Sequence, residues 1–390
     1  MDIRQLHSEE FDLSMDLSEY AFQYKLPTEK RASAKEKFKA EQVWGVFEEG
    51  TLEAKLTLLP FEVYIQGKVI PMGGIAGVST WPENRRQGHV AKLLTHTLQT
   101  MNEAGQTLSF LHPFLIPFYR KFGWEIYCEY KKYSIPVAKL PKKVEIAGKI
   151  KRDIKDIEVL DSLYNRFAAR YNGTLKRNSE WWENAILAHQ HQTAVFYSLL
   201  GEPEGYLLYK LENGELVINE FVFLSEQARQ GLWTFVANHD SMVTGALLNF
   251  VPLDDILPFL LPDPRIEQEN HPFFMARIVS VKAFVENYSC KQPSILKKQT
   301  IYIEDKHAPW NDGLWEWTVS EEGTAAFLHL EGEREAADLC CDIGTLTTLM
   351  LGYKRPAELA RYGRMNGDQA AVEWLEEIIP HAETALFDHF

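Results

Sequence analysis

The sequence predicts an α+β protein built from two or three consecutive domains. Three observations carry that prediction. At 390 residues the chain exceeds a single domain, for which roughly 100–200 residues is usual. Its hydrophobic period switches repeatedly between the 3.6-residue spacing of helices and the alternation of strands. A strand–loop–helix segment at residues 83–90 is also partly repeated at residues 226–233.

The elements follow in order. Residues 15–40 carry apolar and charged positions at helical spacing. From Val43 the period is that of strands. Residues 43–47 and 52–59 flank the turn Glu48-Glu49-Gly50 as one hairpin, and 61–65 with 69–70 flank Gln66-Gly67-Lys68 as another. They lead into Gly73-Gly74-Ile75-Ala76-Gly77-Val78-Ser79-Thr80, where glycines inside a strand mark a bulge or the close approach of another backbone or a ligand. Pro82-Glu83-Asn84 ends that strand and a basic loop follows. Residues 90–101 read as a helix, with Val90, Leu94, Leu98 and Met101 on one face and Asn102 with Gly105 as its stop.

A strand at 108–111 runs into His112-Pro113 and an aromatic stretch ending at Trp124. The basic residues 142–155 read as a linker. Beyond it lie a helix at 157–170 and strands at 194–199, 205–210 and 216–223. Trp181-Trp182 reads as packing, and Pro262-Asp263-Pro264 with His271-Pro272 breaks up the end of this second unit. A third unit has strands at 299–304, 313–320 and 323–330, then helices at 343–351, 356–363 and 368–379.

Composition narrows the function. A hydrophobic content of 45% and a charged content of 25% suit an ordinary globular protein with a sizeable core. With a formal charge of −14 the chain lacks the dense basic face that displaces counterions from phosphates, so no nucleic-acid partner is expected. An acidic surface instead attracts cationic small molecules. Cys128, Cys290, Cys340 and Cys341 match neither a zinc site nor a disulfide framework and read as reduced, mostly buried thiols. His189 and His191 are too few for a zinc site, and no metal is expected. The opening Met1-Asp2-Ile3-Arg4-Gln5 lacks a signal-peptide core, and no apolar run approaches the ~20 residues of a membrane helix. A cytoplasmic protein without a membrane partner is the expectation.

The segment with the most chemistry is Arg85-Arg86-Gln87-Gly88-His89-Val90, at the start of a helix. N–H groups of a first helical turn have no intrahelical partners, and the helix dipole is positive there, so a diphosphate fits without further machinery. Gly88 has no Cβ and lets an anion approach its backbone. Arg85 and Arg86 add donors matched to phosphate oxygens. Spacing alone weighs this evenly against a solvated arginine pair at an ordinary helix start.

Strand, loop and helix together resemble the GNAT acetyltransferase superfamily, whose signature is Arg/Gln-x-x-Gly-x-Gly/Ala. Here valine stands in the last position, which is similar to the enhanced intracellular survival (Eis) branch. The resemblance spans nearly the whole chain. It includes Tyr119-Arg120-Lys121-Phe122-Gly123-Trp124, Ala276-Arg277-Ile278-Val279-Ser280-Val281 as the opening of a third domain, and a tail from Met350-Leu351-Gly352-Tyr353 through Ala357-Glu358-Leu359 to Phe387-Asp388-His389-Phe390. It implies a catalytic GNAT domain over residues 1–140, a degenerate GNAT-like domain over 141–273 and a sterol-carrier-like domain over 274–390. In the second, Ala228 replaces the first loop arginine and Trp233 fills the last position, so diphosphate binding is lost there.

The resemblance further implies acetyl-CoA as co-substrate, an aminoglycoside-type polyamine as acceptor, and a homo-oligomer, a hexamer. The strand segment Val78, Ser79 and Thr80 would pair with the pantetheine arm. Arg85, Arg86, Gly88, His89 and Val90 would hold the diphosphate. Tyr119 is the implied acid, since a phenol with an ordinary pKa of about 10 is protonated at neutral pH; without the resemblance it reads as a packed aromatic among Phe114, Phe118, Phe122 and Trp124. The α-carboxylate of Phe390 is the implied base. Its ordinary pKa of about 3.5 makes it weak unless burial or a bridging water helps, while Leu386, Phe387 and Phe390 give the tail an apolar reason to dock. Two other readings stay open: a protein-lysine acetyltransferase with the same coenzyme site, and a carrier of lipid or another hydrophobic ligand with a vestigial acetyltransferase half.

Overall fold

Three large sheets carry the chain in the computed structural model, which describes residues 1–189 and 191–390. The side chain of His189, named above beside His191, lies outside the described residues. The first unit supplies β1 (Asp2–Gln5), α1 (Phe11–Phe22), α2 (Thr28–Glu36), β2 (Val43–Glu48), β3 (Thr51–Ile65), β4 (Lys68–Thr80), α3 (His89–Glu103), β5 (Leu108–Leu111), α4 (Ile116–Arg120) and β6 (Glu125–Ile126). The two hairpins expected between residues 43 and 70 share one long strand. β3 runs 15 residues straight through Pro60, whose fixed φ suits extended chain and which stands opposite Gly73. The glycine-rich segment is the second half of β4. α3 packs Leu93, Leu94, Leu98 and Met101 onto β3 and β4, each buried side chain stabilising the contact by about 1.5–3 kcal/mol. A Cβ on Gly73 would stand 2.3 Å from the Met101 sulfur, so glycine sets how closely helix and sheet approach.

The second unit contains β7 (Glu129–Pro136), β8 (Gly148–Arg152), α5 (Ile157–Ala168), β9 (Tyr171–Asn172), α6 (Ser179–Trp181), β10 (Gln192–Ser198), β11 (Pro203–Glu212), β12 (Glu215–Phe223), α7 (Glu226–Ala237), β13 (Gly245–Val251), α8 (Leu257–Leu260) and β14 (Glu267–Pro272), and β15 (Met275–Ile278) follows it in the chain. Its sheet runs β14-β7-β13-β12-β11-β10-β8, and the first runs β1-β2-β3-β4-β5-β15-β6. Sheet membership therefore departs from divisions at residues 140 and 273. β7 precedes 140 yet belongs to the second sheet. β15 follows 273 yet lies between β5 and β6 of the first, where it pairs the edge of β5 that would otherwise be open. Residues 276–278 thus complete the first unit instead of opening the third. The expected linker at 142–155 contains β8, and the expected break at His271-Pro272 ends β14. Both are edge strands with mostly exposed, polar sequences, a composition that protects an edge and looks like loop.

The third unit has α9 (Val281–Glu286), β16 (Lys298–Glu304), β17 (Gly313–Val319), β18 (Ala325–Leu330), β19 (Leu339–Asp342), α10 (Ile343–Leu351), α11 (Pro356–Arg361), β20 (Met365–Gly367), α12 (Gln369–Ile378) and β21 (Glu383–Thr384), with sheet order β18-β17-β16-β19-β20. One hydrophobic cluster unites it with the first: Val63, Phe110, Phe274 and Ile278 pack with Leu346, Trp374 and Leu375. The fully buried Arg277 bridges the same units, donating to Asp305 at 2.5 and 2.7 Å and to the Phe122 carbonyl. The cysteines are all free and buried. No helix among the described residues is long and apolar enough to cross a membrane.

Candidate active site

β4 and β5 run parallel from Met72 opposite Leu108 to Ile75 opposite Leu111, and there the pairing stops. β4 continues to Thr80, while β5 gives way to His112-Pro113. Against β3, Lys55 pairs with Ser79 but Thr57 pairs with Ala76, so β4 carries one extra residue. Gly77, in the left-handed region at φ 58°, forms that bulge. A cleft of about 1050 Å³ opens where the strands part. Val78, Ser79, Thr80, Arg85, Arg86, Gly88, His89, Val90, Tyr119 and Phe390 all line it, so the fold brings every site residue named from the sequence to one place.

The basic loop is shaped by its backbone. Arg86 (φ 65°) and Gly88 (φ 83°) are both left-handed. Backbone that alternates between right- and left-handed conformations gathers N–H groups into an anion-binding concavity. Gly88 is the residue before the first turn of α3, and nothing lies within 4 Å of where its Cβ would be. Asn84 anchors the loop by donating its amide to the Glu53 carboxylate. Arg85 and Arg86 are exposed and have no carboxylate partner among the described residues. His89 is 4% exposed, and among the described residues neither its ring nitrogens nor the Thr80 hydroxyl has a hydrogen-bond partner. Buried polar atoms without partners are rare in folded proteins. Orphan donors beside unpaired guanidinium groups at a helix start are the donor set a diphosphate needs.

Tyr119 sits on the short helix α4, with Phe114 at 5.3 Å and Phe118 at 5.2 Å between ring centroids. The packed-aromatic and cleft-facing readings are both satisfied. The side chain is 2% exposed, yet its hydroxyl has no hydrogen-bond partner among the described residues and the ring lines the cleft. Burial pushes the phenol above its ordinary pKa, so it stays protonated well beyond neutrality and holds a proton to donate there.

The C-terminal tail is docked. β21 pairs with β9 of the second unit, Phe387 packs on Phe167 and Tyr171, and Phe390 reaches back to the first sheet. Its ring lies 4.9 Å from Phe61 and 4.8 Å from Phe274. A Cβ on Gly74 would come within 2.8 Å of it, so this glycine makes the seat. Asp388 locks the tail. Its carboxylate, fully buried, accepts from Arg177 Nε at 2.8 Å, from the Trp181 indole at 2.8 Å and from the Tyr164 hydroxyl at 3.1 Å. Arg177, also fully buried, donates to Glu220 as well, at 2.5 and 3.2 Å. Burial works against the guanidinium charge, but Asp388 and Glu220 outweigh it and raise its pKa. Between lock and seat stands His389, its ring tilted against that of His112 with centroids 4.6 Å apart. Lost hydration lowers the pKa of both imidazoles, and for His112 the neighbouring His389 lowers it further.

Reasoning from sequence missed Arg177, Asp388, Gly74, His112 and His389. His112 carried a signal, since it begins where β5 ends. Arg177 carried none: it lies 211 positions from the aspartate it holds. Trp181, which reads as packing, donates to Asp388.

The second sheet repeats the splayed geometry without the anion seat. β12 and β13 pair in parallel from Glu215 opposite Gly245 to Ile218 opposite Leu248 and then separate around a cavity of about 230 Å³. The segment aligned with the basic loop is not a loop here: Glu226 to Trp233 lies within α7. Ser225 caps that helix by accepting from the Ala228 N–H and donates to Glu204, and Arg229 is neutralised by Glu226 at 2.6 Å. The start of α7 is thus taken up by its own serine cap, with two carboxylates beside it.

Comparison with known proteins agrees with this architecture. Residues 2–127 and 173–278 match two acetyltransferase (GNAT) domain families, and residues 281–387 match the sterol carrier protein domain. The chain thus carries two GNAT domains followed by a sterol-carrier-like domain, and it is an N-acetyltransferase of the GNAT type. It is 23% identical over 354 residues to an uncharacterized N-acetyltransferase of Streptomyces avermitilis, covering 83% of this chain and 82% of that one. A probable N-acyltransferase from Enterococcus faecalis superimposes with a TM-score of 0.93 at 29% identity, covering 100% of this chain and 99% of the other. Eis1 from Mycobacterium abscessus shares the fold at a TM-score of 0.83 and 20% identity over 100% of both chains.

Proposed function

We propose that the chain transfers acetyl from acetyl-CoA to an amine of a small molecule, by direct attack in a ternary complex and within the Eis branch of the GNAT enzymes. The observation that carries this reading is the convergence, in one cleft, of an anion-binding helix start, a bulged strand, a buried phenol with a free hydroxyl and the chain's own terminus. In this reading Arg85, Arg86 and the amides of Gly88, His89 and Val90 hold the diphosphate. Val78, Ser79 and Thr80 pair with the pantetheine arm as a further strand would. The bulge at Gly77 turns one strand amide towards the thioester carbonyl, where a fixed donor stabilises developing charge.

Proton accounting assigns the remaining roles. An ammonium has no lone pair, so the Phe390 carboxylate takes one proton from it before attack. As the new C–N bond forms and the C–S bond breaks, Tyr119 donates to the departing thiolate. The second proton shed by nitrogen restores the phenol. The resemblance supports an aminoglycoside-type polycation as acceptor and a hexameric assembly; the walls of the cleft support a less charged acceptor.

The test is thiol release from acetyl-CoA with a panel of amines, run on the wild type, Tyr119→Phe and a chain ending at His389, which withdraws the carboxylate by one residue. Each variant should lose roughly 10²–10⁴-fold in kcat with little change in KM for acetyl-CoA. Full turnover by Tyr119→Phe would remove the acid. A wild type inert towards every amine, including a lysine peptide, would remove the reading itself.

A further inference from the structure

The acceptor half of the cleft has an unusual charge inventory. Beyond the loop and helix residues 84–91, the wall consists of Ala21, Phe22, the strand segment 75–80, His112, Pro113, Phe114, Phe118, Tyr119, His389 and Phe390. No aspartate or glutamate side chain is among them. The acidic groups that border the wall are already committed. Asp16, on α1 below Phe22, pairs with Arg31 at 2.9 Å. Glu19 pairs with Lys25 at 2.7 Å and accepts the Leu26 N–H at 3.0 Å. Glu53 holds Asn84, and Asp388 is enclosed by Arg177, Trp181 and Tyr164. Among the described residues, no acidic side chain therefore lines the place where an acceptor must lie.

The same wall is rich in rings, and two stand open. Phe114 is 68% exposed and Phe22 is 52% exposed. Large aromatic side chains left bare at the mouth of a cleft are the usual mark of a surface that an apolar group covers. Among the described residues of this wall, the imidazoles of His112 and His389 are the side chains that can become cationic.

Deepening the proposed function, we infer that the acceptor is a monoamine with an aromatic or aliphatic body, held by Phe22, Phe114 and Phe118 and presenting its single ammonium to the Phe390 carboxylate. One cation meets one anion. A polycation would bring further ammonium groups into a wall with nothing to pair them, and unpaired charges resist leaving water. The bond changes are those of the proposed reaction, so the nitrogen loses one proton to Phe390 and one in exchange for the proton Tyr119 gives the thiolate.

The experiment measures kcat/KM at saturating acetyl-CoA for phenethylamine, tryptamine and hexylamine against spermidine, kanamycin and a lysine peptide. The monoamines should exceed the polycations by at least about 10-fold, within the 10–200-fold that apolar contacts discriminate. Phe114→Glu, a change at an exposed ring, should reverse the order by raising spermidine turnover and lowering that of phenethylamine. Kanamycin or spermidine as the best wild-type substrate would overturn the inference and leave the acetyltransferase reading standing. A preference unmoved by Phe114→Glu, in protein of unchanged Tm, would overturn the placement of the acceptor on this wall. Absence of turnover with every amine would overturn both readings together, and thermal stabilisation by coenzyme A would then show that the diphosphate seat survives without the acceptor chemistry.

Discussion

Replacing Asp388 by asparagine changes one atom and tests whether the second unit governs catalysis in the first. The native carboxylate accepts from Arg177, Trp181 and Tyr164 in a setting that no water reaches. In Asp388→Asn one oxygen can still accept, but the other becomes an NH2 that faces a donor, and Arg177 keeps only Glu220 to balance its charge. Because Glu220 still balances Arg177, the loss is that of a hydrogen bond to a charged group, about 1.5–3 kcal/mol. At about 1.4 kcal/mol per factor of ten, that is roughly a 10–10²-fold shift towards an undocked tail. Phe387 and Phe390 still favour docking, each by about 1.5–3 kcal/mol of apolar burial, so the tail should fluctuate without the domain unfolding. Two assays read this. Carboxypeptidase should release Phe390 much faster from the variant, and kcat should fall while KM for acetyl-CoA holds, because the diphosphate seat is untouched. Fast release of Phe390 with undiminished kcat would refute the role of the terminus. Slow release with normal kcat would refute the lock.

Four further outcomes follow from the geometry. Gly74→Ala would place a methyl 2.8 Å from the Phe390 ring, and kcat should drop in a protein whose Tm shifts little. Arg85→Ala with Arg86→Ala should raise KM for acetyl-CoA, and the loss should shrink in high salt, measured by thiol release across ionic strengths. His112 and His389 stay neutral at neutral pH because their pKa values lie below the ordinary imidazole value; activity should decline as pH falls below about 6.5, and His112→Gln should flatten that limb. Lys55 is buried on Ser14 and Ser18 with no carboxylate partner among the described residues, and burial lowers its pKa from 10.5 to about 8. The folded state therefore binds fewer protons than the unfolded chain between those values. Stability should rise with pH across that window and be lost again as pH falls to 8, by about 3 kcal/mol in all, and chemical denaturation of Lys55→Met should lack that slope.

Local signals were enough for much of this molecule. The helix at 90–101, the strand at 108–111, the strands and helix of the second unit and the turn glycines are visible because period and punctuation act over a few residues. The anion seat is visible for the same reason: Arg85, Arg86, Gly88 and the helix start are neighbours in the chain. Edge strands β8 and β14 were not, since an edge is protected by the charged and proline-bearing composition that also marks loops.

What required the folded chain is everything that joins distant residues. β15 fills the first sheet from beyond residue 273 because β5 is fully buried and its edge must be satisfied by some backbone, and no local pattern says which. Arg177 meets Asp388 across 211 positions, and Gly74 makes room for Phe390 across the whole molecule. The acidity of the chain as a whole is plain from composition. That its carboxylates are spent on Arg31, Lys25 and Arg177, leaving an aromatic and uncharged wall for the acceptor, depends on which side chains end up within a few ångströms of one another. Ion pairing and burial are short-ranged in space, while the sequence orders residues only along the chain, and the two measures of distance agree for a loop and part company for a site.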